Sequence, residues 1–225
     1  MIRAVIFDLD GTVADTVSAI REGLNLTMER YGYPTHDDSA VRSFLNNGAR
    51  ELIRRAIPEE YRSDEGHVSR VLADYDRDYA SVYDHTDRPY DGMCEVVRAL
   101  HEMGLRIAVL SNKQDLFVKG LAQQLLPCGC VDAAQGVVKG KPTKPDPYLT
   151  RLVAEQLGVL PDECVVVGDS DVDVRTAKNA GMAHIGVSWG YRDEAFLREH
   201  GATRIADTPA QLLEMIRNLV NERGA

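Results

Sequence analysis

Three apolar runs that end on polar residues constrain the fold most. Ala4-Val5-Ile6-Phe7 runs into Asp8-Leu9-Asp10-Gly11-Thr12, Leu105 to Leu110 ends at Ser111-Asn112-Lys113, and Cys164 to Val167 ends at Gly168-Asp169. Short apolar runs rich in β-branched residues read as strands buried on both faces. Helical periods alternate with them: Cys94 to Met103, Gln114 to Leu126, Pro145 to Leu157, Val172 to Ala180, Glu194 to His200 and Pro209 to Asn221. Two further strands are read at Ala183 to Val187 and Thr203 to Ala206. Strand–helix alternation of this kind predicts an α/β fold with a doubly wound, Rossmann-like parallel sheet.

One block breaks the alternation. Asp15 to Tyr31, Asp37 to Leu45, Ala49 to Ile57 and Glu65 to Tyr83 all carry apolar residues at helical spacing, with no strand between them. The first strand belongs to the sheet, so these helices are inserted after it. The expected division is a core of 1–14 and 91–225 around a helical domain of 15–90.

Composition narrows the partners. The chain has 225 residues, 35 acidic against 26 basic, and a net charge of −9. That balance disfavours general attraction to nucleic acid or anionic membrane. An anionic substrate must therefore be drawn by a local cation. No stretch reaches the roughly 18 apolar residues of a membrane span, and no signal-peptide pattern opens the sequence. Cys94, Cys128, Cys130 and Cys164 lack zinc spacing and read as reduced thiols of a cytoplasmic protein. A monomer or homodimer is expected.

The chemistry is concentrated at the strand ends, where parallel sheets bind ligands. Asp8 and Asp10 alternate with Leu9 and so point to one side. Two carboxylates at the mouth of a buried strand repel one another and lose hydration, and a bound cation relieves both penalties. Mg2+ suits such an oxygen site. Gly11 permits a close turn, and Thr12 offers a hydroxyl and an N–H.

Asp8-Leu9-Asp10-Gly11-Thr12 resembles the first motif of the haloacid dehalogenase superfamily. Ser111, Lys144-Pro145-Asp146-Pro147 and Gly168-Asp169-Ser170-x-x-Asp173 resemble its second, third and fourth motifs, in order. The resemblance implies that Asp8 is a nucleophile forming an aspartyl-phosphate and Asp10 a general acid/base. It implies Mg2+ held by Asp8, Asp169 and the Asp10 backbone carbonyl. Lys144 would supply positive charge to the phosphoryl oxygens, with Ser111, Asn112 and Thr12 as further donors. Lys141 is the alternative to Lys144, and Asp173 would bind a water of the metal or orient the lysine.

The helical block looks like the cap of that superfamily, with Phe44 to Arg50, including Asn47, as its substrate-facing loop. The family more often has Gly near Asn46. Arg50, Arg54 or Lys113 would meet a substrate carboxylate. Asn112-Lys113 and Trp189-Gly190-Tyr191 are similar to the phosphoglycolate phosphatase branch. The expected activity is therefore hydrolysis of a small phosphate ester, 2-phosphoglycolate first. A pyrophosphatase or sugar-phosphate phosphatase is the enzymatic alternative. A phosphoacceptor signalling domain is the non-enzymatic one, and it fits poorly with Asp10 and the insert.

Overall fold

The structure, a computed structural model, describes residues 1–83 and 87–222. In chain order the elements are β1 (Ala4–Phe7), β2 (Ala14–Asp15), α1 (Val17–Arg30), α2 (Asp38–Phe44), α3 (Ala49–Ala56) and α4 (Glu65–Ala80). Next come β3 (Arg88–Pro89), α5 (Met93–Glu102), β4 (Arg106–Gln114), α6 (Asp115–Leu125), β5 (Ala133–Val137) and α7 (Pro147–Leu157). The chain closes with β6 (Cys164–Gly168), α8 (Asp171–Ala180), β7 (Ala183–Val187), α9 (Glu194–Glu199), β8 (Ile205–Ala206) and α10 (Pro209–Glu222). Two compact units result: Met1–Ala14 with Pro89–Ala225, and Asp15–Arg88. The chain re-enters the first unit at Pro89, two residues before the boundary read at 91. The expected domain spans also include 84–86 and 223–225, which lie outside the described residues.

The first unit is built on a six-stranded parallel sheet in the order β5-β4-β1-β6-β7-β8. Ala4 and Ile6 of β1 pack with Ala108, Leu110, Cys164 and Val166 against apolar residues of α7 and α8. The alternating residues Val5, Phe7, Ile107, Val109, Val165 and Val167 are equally buried, so both faces of the sheet are covered. Each such aliphatic side chain contributes about 1.5–3 kcal/mol by leaving water. Register matters most for function. Phe7 lies opposite Val109 on one side and Val167 on the other. Asp8 therefore follows β1 and Asp169 follows β6 at one edge of the sheet, and Ser111, within β4, lies level with them.

Two features differ from the sequence reading. β5 is an additional edge strand, paired with β4. Its sequence, Ala-Ala-Gln-Gly-Val, has little β-branched content, so tertiary pairing rather than propensity makes it a strand. β4 also continues past Ser111 to Gln114, with a register shift between Leu110 and Gln114.

The second unit packs α1 to α4 together. A Cβ at Gly23 of α1 would stand 2.9 Å from the Cα of Tyr79 in α4, so glycine sets how closely these helices approach. Buried Asp78 accepts from Thr27 Oγ1 at 2.9 Å and Arg30 Nη2 at 2.5 Å. Between α2 and α3, Asn46 has φ +83°. Asparagine is among the few residues other than glycine that adopt this conformation readily. The backbone thus retains the geometry that glycine would give there.

Candidate active site

The turn after β1 is wound tightly. The Leu9 carbonyl accepts from the N–H groups of Thr12, Val13 and Ala14, and Gly11 has φ +84°. A Cβ on Gly11 would stand 2.5 Å from Asp169 Oδ2, so the first motif and the fourth approach at van der Waals contact only because this residue is glycine. Asp8 extends the sheet through its N–H to Val167 O at 2.8 Å.

Three buried carboxylates, Asp8, Asp169 and Asp173, each place an oxygen within 4.8 Å of the others. Lys144 is buried among them, with Nζ 2.9 Å from Asp8 Oδ1 and 2.7 Å from Asp173 Oδ1. Ser170 Oγ donates to Asp173 Oδ2 at 2.6 Å, so both oxygens of Asp173 are engaged. Asp169 accepts from the Tyr191 N–H at 2.7 Å and from Thr12 Oγ1 at 3.5 Å. Lys141 lies elsewhere, with Nζ 5.2 Å from the Tyr148 ring centre, in cation–π contact.

Charge decides what this site can hold. With all three carboxylates ionised and Lys144 charged, two negative charges stay uncompensated away from water. Burial pushes the Asp8 carboxyl up to about 7, with Asp173 and Asp10 adding to the shift and Lys144 opposing it. Burial likewise raises Asp169 well above the usual carboxylate range, aided by Asp8 and Asp173. Burial works against the Lys144 charge, but Asp173 and Asp8 outweigh it and raise that group above an ordinary lysine. One divalent cation with oxygen ligands restores the balance, so the residues present fit Mg2+.

The other expected site residues fall into place unevenly. Ser111 is buried and its hydroxyl accepts from the Lys113 N–H at 3.2 Å. The Asn112 side chain is committed to the Lys144 loop, which leaves its backbone N–H as the group that could serve a phosphoryl oxygen. That side chain donates to Lys144 O and accepts from Lys144 N–H, each at 2.9 Å, because the irregular end of β4 brings the amide against that loop. Lys113 pairs with Asp10, Nζ to Oδ1 at 2.9 Å. Asn47 and Arg50 belong to the helical unit. There Arg50 is engaged by Glu65 and Ser69, and Arg54 by Glu51 and Glu65, so neither guanidinium stands ready for a carboxylate without exchanging partners.

Sequence reasoning gave Trp189-Gly190-Tyr191 a resemblance but no contact. Its position says more: Trp189 Nε1 donates to Thr12 O at 3.1 Å, and the Tyr191 N–H reaches Asp169. A Cβ on Gly190 would fall well inside contact distance of Gly11 O and Asp169 Cβ. No periodicity reports such a backbone clamp. Gly190→Ala is expected to lower the affinity of the site for a divalent cation by about 10–100-fold, as loss of outer support for a metal ligand does, without unfolding the sheet. Titration of activity with Mg2+, beside far-UV circular dichroism, measures both.

The comparisons with known proteins agree with this geometry. Residues 2–181 match the model of the haloacid dehalogenase-like hydrolase family. The chain belongs to that family. The hydrolase is 31% identical over 221 residues to a phosphoglycolate phosphatase of Pseudomonas syringae pv. tomato, covering 97% of this chain and 78% of the relative. It is 30% identical to a phosphoglycolate phosphatase of Vibrio vulnificus, with 96% of each chain covered. A crystal structure from Lactobacillus delbrueckii subsp. bulgaricus superposes on the hydrolase with a TM-score of 0.89 at 33% identity, covering 95% of this chain and 98% of that one.

Proposed function

We propose that this hydrolase is a Mg2+-dependent phosphatase acting on a small phosphate monoester, 2-phosphoglycolate first, through an aspartyl-phosphate on Asp8. The observation that carries this reading is Lys144, buried and bridging Asp8 and Asp173 beside Asp169. An ammonium so placed neutralises an incoming phosphoryl group at the nucleophile. The substrate follows from the relatives in Pseudomonas and Vibrio, which carry that activity in their names.

A carboxylate oxygen of Asp8 attacks phosphorus as the bond to the leaving oxygen breaks. Asp10 gives that oxygen a proton, then takes one from the water that cleaves the aspartyl-phosphate, releasing inorganic phosphate. Lys144, Ser111 and Thr12 face the charge on the equatorial oxygens. When bound by Asp8, Asp169 and the Asp10 carbonyl, Mg2+ lessens the repulsion between carboxylate and phosphate. The helical unit is the proposed cap that selects the leaving group. Among the described residues no helix is long and apolar enough to cross a membrane.

A phosphate-release assay over small phosphate esters, with Mg2+ or EDTA, tests the reading. Turnover is expected only with the metal, with the highest kcat/KM on 2-phosphoglycolate. Turnover that survives chelation, or a preference for pyrophosphate, sinks it. Stability gives an independent readout. Metal-free Asp8 keeps its proton to about pH 7 when folded but loses it near the ordinary carboxylate value of 3.8 when unfolded. Between those values the unfolded chain binds fewer protons, so the stability of the metal-free protein falls as pH rises. Mg2+ at about a hundredfold above its dissociation constant contributes about 2.7 kcal/mol. That corresponds to roughly 5–10 °C in Tm for a chain of this size. The shift is expected at pH 8 and largely absent at pH 4, where metal competes with protons.

A further inference from the structure

Lys144 is occupied with Asp8 and Asp173, and a second buried lysine attends the remaining carboxylate. The Lys113 side chain is only 8% exposed and Asp10 only 19%, and their Nζ and Oδ1 atoms are 2.9 Å apart. Lysine is rarely this buried unless paired. The pairing depends on an irregularity in the backbone. β4 shifts register between Leu110 and Gln114, and the Lys113 N–H folds back onto Ser111 Oγ. Such an irregularity re-aims the side chains that follow it. Here it sends Asn112 to the Lys144 backbone and Lys113 to Asp10.

We propose that Lys113 is a positioning residue for proton transfer: its ammonium fixes Oδ1 of Asp10, so that the carboxyl group meets the leaving oxygen in one orientation. This rests on the phosphatase reading above. Asp10 stands on a turn rather than within a strand, and its side chain has two soft torsions that this ion pair restrains. Placement matters because a proton donor displaced by about 1 Å can lose about 10²-fold in rate. Lys113 is then not the ligand of a substrate carboxylate that the sequence offered it as.

The two assignments part on the choice of substrate. General acid help is needed where an alcohol leaves and is nearly dispensable where p-nitrophenolate leaves. The test compares kcat/KM, which reads the step that expels the leaving group, for 2-phosphoglycolate, ethyl phosphate and p-nitrophenyl phosphate. The proteins are the wild type, Lys113→Met and Lys113→Arg. Lys113→Met is expected to lose about 10²-fold on both alkyl esters and less than about threefold on p-nitrophenyl phosphate, with Lys113→Arg recovering part of the loss. In an Asp10→Asn background, Lys113→Met is expected to cost nothing further, because it acts through Asp10.

Loss confined to 2-phosphoglycolate would assign Lys113 to the substrate carboxylate and overturn the proposal. An equal loss on all three substrates, or no loss, overturns it too. Should Lys113→Met fail to fold, Lys113→Gln gives the same comparison, since its amide can still donate to Oδ1. It is then expected to show a smaller loss with the same preference for alkyl esters, and an equal loss on the three substrates overturns the proposal as before. Wild-type protein inactive on every ester would instead remove the phosphatase reading itself, so the two failures are separable.

Discussion

Asp8→Asn is expected to lower turnover by on the order of 10⁴-fold or more while leaving the protein as stable as before, or more so. The two halves of this expectation share one cause. The Asp8 carboxylate is the proposed nucleophile, and an amide at that position cannot form the acyl phosphate. The same carboxylate is buried enough to be pushed up to about 7, so at pH 8 the folded protein holds a charge that water would solvate better than the site does. Asparagine has nearly the same shape and no charge. The substitution removes that cost, while Lys144 keeps its contact with Asp173. Phosphate release and thermal unfolding of the metal-free proteins at pH 8 measure the two effects. Quenching the reaction in acid and treating the protein with hydroxylamine, which cleaves acyl phosphates, gives a third. Near-normal rates in Asp8→Asn would remove the covalent mechanism. Loss of both rate and stability would mean that the residue is structural.

Lys144→Ala is expected to fail in the opposite way, losing activity and stability together. It removes the ammonium that bridges Asp8 and Asp173. Breaking a buried pair by deleting one partner costs about 3–5 kcal/mol, because the charges left behind have neither water nor a counter-ion. For a chain of this length that is a fall of roughly 6–20 °C in Tm. Turnover is expected to fall by about 10²–10³-fold, the usual consequence of removing one preorganised donor from a developing charge.

The stability loss depends on pH with a definite sign. Lys144 opposes the upward shift of Asp8, so without it the folded carboxyl holds its proton to still higher pH. The Asp8 part of the penalty therefore grows as pH rises above about 7, where the wild-type carboxyl is ionised and the variant's still holds its proton. Excess Mg2+ offsets part of it. Lys141→Ala, on a lysine that rests over Tyr148, is expected to change neither quantity appreciably. A result in which Lys141→Ala is the damaging change would reverse the assignment of the third motif.

Much of this architecture was legible in the one-dimensional pattern. Burial imposes period two or continuous apolarity on strands and period 3.6 on helices, and both leave marks within ten residues. The strands at Ala4–Phe7, Cys164–Gly168 and Ala183–Val187 and the four helices of the insert announce themselves in that way. The polar residues at the strand ends could also be read, because a ligand site in a parallel sheet has nowhere else to form. β5 was not legible: a half-exposed edge strand of small residues carries neither pattern, and it exists because β4 offers unpaired hydrogen-bonding groups.

What only the tertiary structure decided is which of several equivalent side chains meet. Lys139, Lys141 and Lys144 are alike in sequence. Lys144 alone reaches Asp8, because Asn112, thirty-two residues away, ties down its backbone on both sides. Lys113 turned to Asp10 because β4 shifts register, and Tyr191 reached Asp169 because Gly190 leaves room for the chain. Local pattern encodes what each segment buries. Contacts between segments separated along the chain depend on sheet register and loop path, which no short window of sequence contains.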